Sequence, residues 1–128
     1  STLDLLPTCT AWAGAERPKE RILDGGDLTH VLMGTGKSPR SKMFYYHGEQ
    51  LYAARVGEYK AHYLTKTSYV GQREAVKHDP PLLYHLGHDP GERLDVAADH
   101  PDVLKQIAEA VARHKASVKP VENQLIKR

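Results

Sequence analysis

Between residues 43 and 86, hydrophobic and polar positions alternate in short runs that are separated by turns. Three of these runs are rich in aromatic and β-branched residues, which favour strands: Met43–His47, Leu51–Val56 and Tyr59–Thr65. A fourth run, Leu82–Leu86, follows the polar residues 66–80, for which we expect a mobile loop. The pattern therefore predicts a meander of about four antiparallel strands.

The hairpin between the second and third predicted strands fixes which side chains share a face. Gly57-Glu58 is typical of a type II′ turn, because the first central position of that turn takes glycine. The turn places Arg55 opposite Lys60 and Ala53 opposite His62. The face suited to the core comprises Tyr52, Ala54, Val56, Tyr59, Ala61 and Tyr63. The other face comprises Arg55, Lys60 and His62 among Leu51, Ala53 and Leu64. Because like charges opposite each other are unfavourable, this second face is either solvated or compensated by an anionic group.

After position 100, the apolar residues recur at the spacing of a helix. Pro101 suits the first turn of a helix, with Asp99 or His100 as the N-cap, and Pro120 would end that helix. The apolar stripe of this helix comprises Val103, Leu104, Ile107, Ala108, Val111, Lys115 and Val118. We expect the stripe to lie across the sheet.

A shorter helix is predicted over residues 4–13, with Asp4 as the N-cap and Gly14 at its end. Its mostly buried residues would be Leu5, Leu6, Cys9, Trp12 and Ala13. The Gly- and Pro-rich segment up to residue 42 predicts an ordered loop with one helical turn near Leu28–Leu32. The predicted fold class is α+β: a small antiparallel sheet of about four strands packed against a C-terminal helix, preceded by a short helix and an ordered loop.

Length and charge narrow the class of protein. With 128 residues, the chain is long enough for one hydrophobic core and one domain. Its 18 basic and 16 acidic residues nearly balance, whereas nucleic-acid-binding domains concentrate a large excess of Lys and Arg on one surface. The single cysteine excludes an intrachain disulfide, and the sequence contains no apolar run of membrane-spanning length. We expect neither nucleic acid nor a membrane as a partner.

The sequence contains no self-sufficient catalytic or metal-binding motif. His78, His85 and His88 lack the spacing of a zinc site, so we expect them to be structural or solvent-facing. Residues 34–38 lack the spacing of a phosphate-binding loop. Cys9, in an apolar helix without a basic neighbour, is expected to be an inert buried thiol. Four carboxylates lie in Gly/Pro turns, where they usually accept hydrogen bonds from backbone N–H groups: Asp24, Asp27, Asp89 and Glu92.

Four segments in succession resemble the C-terminal region of sulfatases of the type that includes arylsulfatase A and N-acetylgalactosamine-6-sulfatase. They are DLLPTCTAWAG (4–14), ILDGGDLTHVLMGTGKSPR (22–40), MFYYHGEQLYAARVGEYKAHYLT (43–65) and PPLLYHLGHDPGERLDV (80–96). The resemblance is most specific in GEYKAHY and LLYHLGHDPGER taken together. The final helix resembles the family only in character.

The resemblance implies an enzyme whose chemistry lies in a large N-terminal domain of the alkaline-phosphatase-like α/β class. Family members hydrolyse sulfate esters with a formylglycine, made from the Cys or Ser of a C/S-x-P-x-R motif, and a bound calcium. Cys9 is followed by Thr-Ala-Trp-Ala, so it is not the formylglycine precursor. We therefore expect no catalytic residue, metal or cofactor in this chain, which would be inactive alone, and calcium and formylglycine in the catalytic domain of the same polypeptide. Residues 1–42 would be a connecting helix and loop, 43–119 the C-terminal subdomain and 120–128 a tail.

The resemblance also implies that the Lys-Ala-His strand approaches the catalytic cleft, so that His62 contacts substrate with Lys60 and Arg55 as neighbours. Lys37 is a weaker candidate. The expected ligand is a sulfated small molecule or glycan, and the expected location is secreted, periplasmic or lysosomal. An exposed apolar surface would meet the catalytic domain and allow self-association. The alternative is a free-standing, non-enzymatic module that binds sulfated glycan or a protein partner through the same basic face.

Overall fold

A computed structural model describes residues 1–17, 20, 23–66 and 74–119. The chain divides into two compact units, Ser1–Ser41 and Lys42–Arg128. The predicted tail, 120–128, lies outside the described residues, as do 67–73 of the predicted loop.

The first unit contains a short 3-10 helix, Thr2–Asp4, followed by helix α1, Leu5–Trp12, and helix α2, Thr29–Leu32. Both helices lie where the sequence predicts them. Asp4 precedes α1, but its side chain caps no backbone N–H of that helix. The buried carboxylate instead accepts hydrogen bonds from the Arg40 guanidinium and from the Gly26 backbone N–H, at 2.8 Å. The hydrogen bond from Arg40 is the main reason that the pKa of Asp4 lies far below its usual range.

The predicted burial of α1 is wrong. The residues expected in a core are all exposed: Leu5, Leu6, Cys9, Trp12 and Ala13. The buried side chains are Asp4, Pro7 and Thr8, and Thr8 accepts a hydrogen bond from the Leu28 backbone N–H at 3.0 Å. Asp4 and Thr8 thus bond to the following segment from the buried side of α1, and the exposed Trp12 also donates an Nε1–H hydrogen bond to the Thr29 hydroxyl, at 2.8 Å.

The second unit contains an antiparallel sheet of four strands in the order β1-β2-β3-β4. The strands are β1, Lys42–His47; β2, Gln50–Val56; β3, Tyr59–Thr65; and β4, Val76–His85. The predicted hairpin register is confirmed, with Arg55 opposite Lys60 and Ala53 opposite His62. Gly57 has a φ of +60°, which the type II′ turn requires at its first central position.

Strand β4 begins earlier than predicted. Residues 76–80 belong to the strand, although their polarity predicts a loop, because Val76 and Lys77 pair with Thr65 and Leu64. The register shifts between His62 and Leu64. Backbone pairing with β3 therefore extends the strand through a segment that has no strand-like alternation of its own.

A β-bulge changes the face on which Leu51 lies. Tyr45 pairs with Ala53 and Tyr46 pairs with Leu51, which leaves Tyr52 as an extra residue in β2. The extra residue shifts the side-chain alternation by one position. Leu51, predicted on the charged face, consequently belongs to the core.

Helix α3, Pro101–Ser117, begins with Pro101 in its first turn and His100 as the N-cap, as predicted. The core between helix and sheet comprises Leu51, Ala54, Ala61, Leu83, Ile107 and Val111. The buried stripe differs from the predicted one at Ala108, which is exposed, whereas Ala110 is buried. Lys115 and Val118 are also exposed, and His114 lies on the Phe44 ring instead, with centroids 3.9 Å apart. The predicted α+β class is confirmed.

Candidate functional site

The second face of the sheet carries a cluster of three charged or titratable side chains. Lys60 and His62 are two residues apart on β3, so both side chains project to the same side. Glu92 lies between them: its Oε1 accepts a hydrogen bond from Lys60 Nζ at 2.7 Å, and its Oε2 lies 2.9 Å from His62 Nε2. The anionic group that this face needs is therefore a carboxylate from the same unit. We call this the Lys60–His62–Glu92 cluster.

The loop after β4 places Glu92 in this cluster. The carboxylate of Asp89 accepts hydrogen bonds from the backbone N–H groups of Arg93 and Leu94, at 2.6 and 2.8 Å. Farther along the loop, Asp95 accepts a hydrogen bond from the Leu83 N–H of β4 at 2.9 Å. Glu92 itself has a φ of +52°, in the left-handed region that residues other than glycine seldom occupy.

Turn carboxylates thus have two different roles here. Asp89 and Asp27 accept backbone hydrogen bonds, as the sequence predicts; the donor to Asp27 is the Thr29 N–H, at 2.8 Å. The backbone hydrogen bonds to Asp89 lower the pKa of its carboxyl group. The same prediction for Glu92 is wrong, because its carboxylate binds the side chains of Lys60 and His62. Sequence reasoning indicated that the basic face needs an anion, but it could not identify Glu92, 30 residues away from His62.

Aromatic rings flank the cluster. Lys60 Nζ lies 4.7 Å from the centroid of the Tyr45 ring, a cation–π contact from the neighbouring part of the sheet. The Tyr84 ring meets His62 edge to face, with centroids 5.6 Å apart. Burial, and then the nearby carboxylates of Asp95 and Glu92, raise the pKa of Tyr84. These rings limit the positions that the Lys60 and His62 side chains can adopt.

The environment of His62 favours its neutral form. Burial is the main cause that lowers its pKa, and the positive charge of Lys60 lowers it further, while Glu92 acts in the opposite direction. Near neutral pH, the ring therefore carries one proton. Because a carboxylate only accepts hydrogen bonds, that proton lies on Nε2, which donates to Glu92.

The other predicted site residues lie outside the cluster. Arg55 is exposed, and its Nε donates a hydrogen bond to the Gly57 carbonyl oxygen at 2.8 Å. Lys37 is an exposed residue of the first unit. Of the sequence-predicted candidates, the structure brings together Lys60 and His62 and adds Glu92.

The remaining histidines have local partners. His78 Nε2 lies 2.8 Å from the Thr65 hydroxyl, and His85 stacks on His88 with centroids 4.1 Å apart. Within residues 1–17, 20, 23–66 and 74–119, no three His, Cys, Asp or Glu side chains are grouped closely enough to hold a metal ion. None of the helices in those same ranges has the length and apolar character needed to cross a membrane.

Comparison with known proteins identifies the family of this chain. Residues 38–128 match the family described as the C-terminal region of aryl-sulfatase. The chain therefore belongs to that family.

Individual relatives agree with this assignment. The chain is 42% identical to arylsulfatase A of Homo sapiens, in a match that covers 84% of this chain and 25% of the relative. It is 35% identical to N-acetylgalactosamine-6-sulfatase of Sus scrofa, covering 98% of this chain and 28% of the relative. The PsFucS1 sulfatase from Pseudoalteromonas sp. shares the fold, with a TM-score of 0.72 at 24% identity, over 88% of this chain and 25% of that one. The chain thus spans about a quarter of the length of these relatives.

Proposed function

We propose that this chain forms part of a sulfuric ester hydrolase and contributes the Lys60–His62–Glu92 cluster to its substrate cleft. The observation that carries the proposal is the cluster itself: a cation and a neutral imidazole, both on one strand and both fixed by one carboxylate. The family assignment supplies the reaction class, the hydrolysis of a sulfate ester.

The geometry of the cluster suits an anionic substrate. The side chains of Lys60 and His62 are each 17% exposed, so they are held in place yet remain accessible to a ligand. Lys60 has three N–H donors, and Glu92 occupies one of them. The remaining donors can form charge-assisted hydrogen bonds to sulfate or sugar oxygens, which are about twice as strong as neutral ones. The proposed partner is therefore a sulfated small molecule or glycan.

The catalytic group of this proposal lies outside the chain. Cys9 has no C-x-P-x-R context, so formylglycine and calcium would belong to a catalytic domain of the same polypeptide, and the isolated chain would hydrolyse nothing. Exposed apolar side chains of the first unit suit contact with that domain, and alone could support self-association: Leu5, Leu6, Trp12, Leu32 and Met33, all at least 60% exposed. A secreted, periplasmic or lysosomal location belongs to the same proposal.

Sulfatase assays of the full-length parent enzyme test this function. His62→Ala and Lys60→Ala should each lower kcat/KM for a chromogenic aryl sulfate that carries a ring hydroxyl by about tenfold or more, because each removes a substrate hydrogen bond. Arg55→Ala is the matched control: it removes a cation from the same hairpin, outside the cluster. We expect kcat/KM of the control to stay within about threefold of the parent value.

Two outcomes would contradict the proposal. A parent enzyme unaffected by both cluster substitutions would show that the cluster lies away from the substrate. Turnover by the isolated chain would show that the catalytic group lies within this chain, contrary to the proposal. Tight binding of sulfated glycan by the isolated chain, together with an unaffected parent, would instead support the free-standing binding module.

A further inference from the structure

The position of Glu92 is held by its loop on both sides. The Asp89 carboxylate, three residues before Glu92, accepts hydrogen bonds from the backbone N–H groups of the two residues that follow Glu92. Beyond them, the Val96 N–H donates to the Leu83 carbonyl oxygen of β4 at 2.8 Å. The left-handed φ of Glu92, +52°, is unfavourable in a residue with a side chain, and such conformations concentrate at functional sites. The loop therefore presents this carboxylate at one place on the sheet.

Contact with Glu92 selects one tautomer of His62. A neutral imidazole carries a proton on only one nitrogen, and the nitrogen without a proton is an acceptor. Because Glu92 Oε2 lies 2.9 Å from Nε2 and can only accept, the proton is on Nε2. Nδ1 then has a free lone pair.

The chemistry of Nδ1 limits what it can bind. No described residue donates a hydrogen bond to it, since the hydrogen bond of His62 within the described chain is the one to Glu92. Sulfate oxygens are acceptors, and they would be repelled by the Nδ1 lone pair. A hydroxyl group can donate to it, whereas an ether or a hydrogen at the same position cannot.

We propose that Glu92 is a positioning residue that holds His62 as its Nε2–H tautomer, so that Nδ1 accepts a hydrogen bond from a hydroxyl group of the sulfated substrate. In this arrangement, Lys60 donates hydrogen bonds to acceptor atoms of the substrate, and His62 Nδ1 accepts one from its hydroxyl group. The inference rests on the proposed function, because it assigns a specific partner atom to the same cluster.

A panel of three substrates tests the inference in the full-length enzyme. The substrates are an aryl sulfate with a hydroxyl next to the ester, its deoxy counterpart and its methyl ether. The parent should prefer the hydroxyl compound by about tenfold in kcat/KM, the usual effect of one substrate hydrogen bond. His62→Ala should abolish this preference, and Glu92→Gln should reduce it at least threefold. Glu109→Gln, on the exposed surface of α3, is the matched control and should keep the full preference.

The pH dependence of the preference gives a readout that loss of folding would not reproduce. Protonation converts Nδ1 to a donor, and both a hydroxyl and an ether oxygen can accept from it, so the preference for the hydroxyl compound over the methyl ether should fall as pH drops through the pKa of His62. Glu92 raises that pKa, whereas burial, Lys60 and His78 lower it, so in Glu92→Gln the remaining preference should fall at lower pH. If Glu92→Gln does not fold, Glu92→Asp, with a shorter side chain, should show the same loss of preference.

The outcomes separate this inference from the proposed function. If His62→Ala lowers kcat/KM equally for all three substrates, His62 binds substrate without reading a hydroxyl, and only the inference fails. If His62→Ala changes none of them, the inference fails, and if Lys60→Ala also changes none of them, the proposed function fails as well. An unchanged preference in Glu92→Gln, with His62→Ala abolishing it, would overturn the positioning role of Glu92.

Discussion

Replacing Glu92 by glycine should destabilise the protein less than replacing it by alanine, which reverses the usual order of these two residues. The φ of Glu92 is +52°, a conformation that costs roughly 1–2 kcal/mol in a residue with a Cβ and nothing in glycine. Relative to glycine, alanine offsets about 0.4–1 kcal/mol of this cost, because it lowers the conformational entropy of the unfolded chain. The glycine variant should therefore be more stable by about 0.5–1 kcal/mol.

Both substitutions also remove the carboxylate that binds Lys60 and His62, at 2.7 and 2.9 Å. Hydrogen bonds to charged groups contribute about 1.5–3 kcal/mol when buried, and exposed ion pairs less than about 1 kcal/mol. The Glu92 side chain is 27% exposed, which lies between these cases. Glu92→Ala should lose about 1–2 kcal/mol of unfolding free energy, and Glu92→Gly about 0.5–1 kcal/mol less than Glu92→Ala.

Chemical denaturation followed by far-UV circular dichroism measures these differences. Glu109, an exposed residue in the middle of α3, provides the control, because in a helix glycine is less stable than alanine by about 1 kcal/mol. The order of the alanine and glycine variants should thus be opposite at the two positions. A Glu92→Gly variant less stable than Glu92→Ala would refute the left-handed backbone, and two variants as stable as the parent would refute the role of the carboxylate.

Three further predictions concern packing and pH. Ala110→Leu should lower the unfolding free energy by about 1–3 kcal/mol because it overfills the core, whereas Ala108→Leu, on the exposed side of α3, should change it by less than about 0.5 kcal/mol. Equal urea midpoints for the two variants would contradict the assigned helix face. Because the pKa of His62 is lowered on folding, the unfolded state binds more protons, so stability should fall as pH drops below 6.5, and melting temperatures of His62→Gln should show less of this fall. A Cβ on Gly25 would lie 1.8 Å from a backbone carbonyl oxygen. Gly25→Ala should lower the denaturation midpoint reported by Trp12 fluorescence, and an unchanged midpoint would show that the loop packs differently.

Local pattern predicted most of the elements of this chain. Strands β1 to β3 follow from the alternation of their apolar residues, and the Gly57 turn fixed the register that placed Arg55 opposite Lys60 and Ala53 opposite His62. Helix α3 follows from its apolar spacing and from Pro101 at its start. These features depend on residues within a few positions of each other, so the sequence is sufficient to predict them.

Packing predictions failed where the outcome depended on a second element. The bulge at Tyr52 moved Leu51 into the core, and the direction from which the sheet meets α3 selected Ala110 over Ala108. Pairing with β3 made a strand of the polar residues 76–80. A helix or strand alone does not contain the information on which neighbour it will meet.

The sequence by itself determined the family, the α+β class and the placement of Lys60 and His62 on one strand, since each rests on short motifs or on the local spacing of apolar residues. Only the tertiary structure decided that Glu92 joins them and that Arg55 does not. The reason is physical: strand periodicity places residues two positions apart on a common face, whereas an ion pair across 32 residues forms only after a folded loop, held by Asp89 and Asp95, has brought the carboxylate to the sheet.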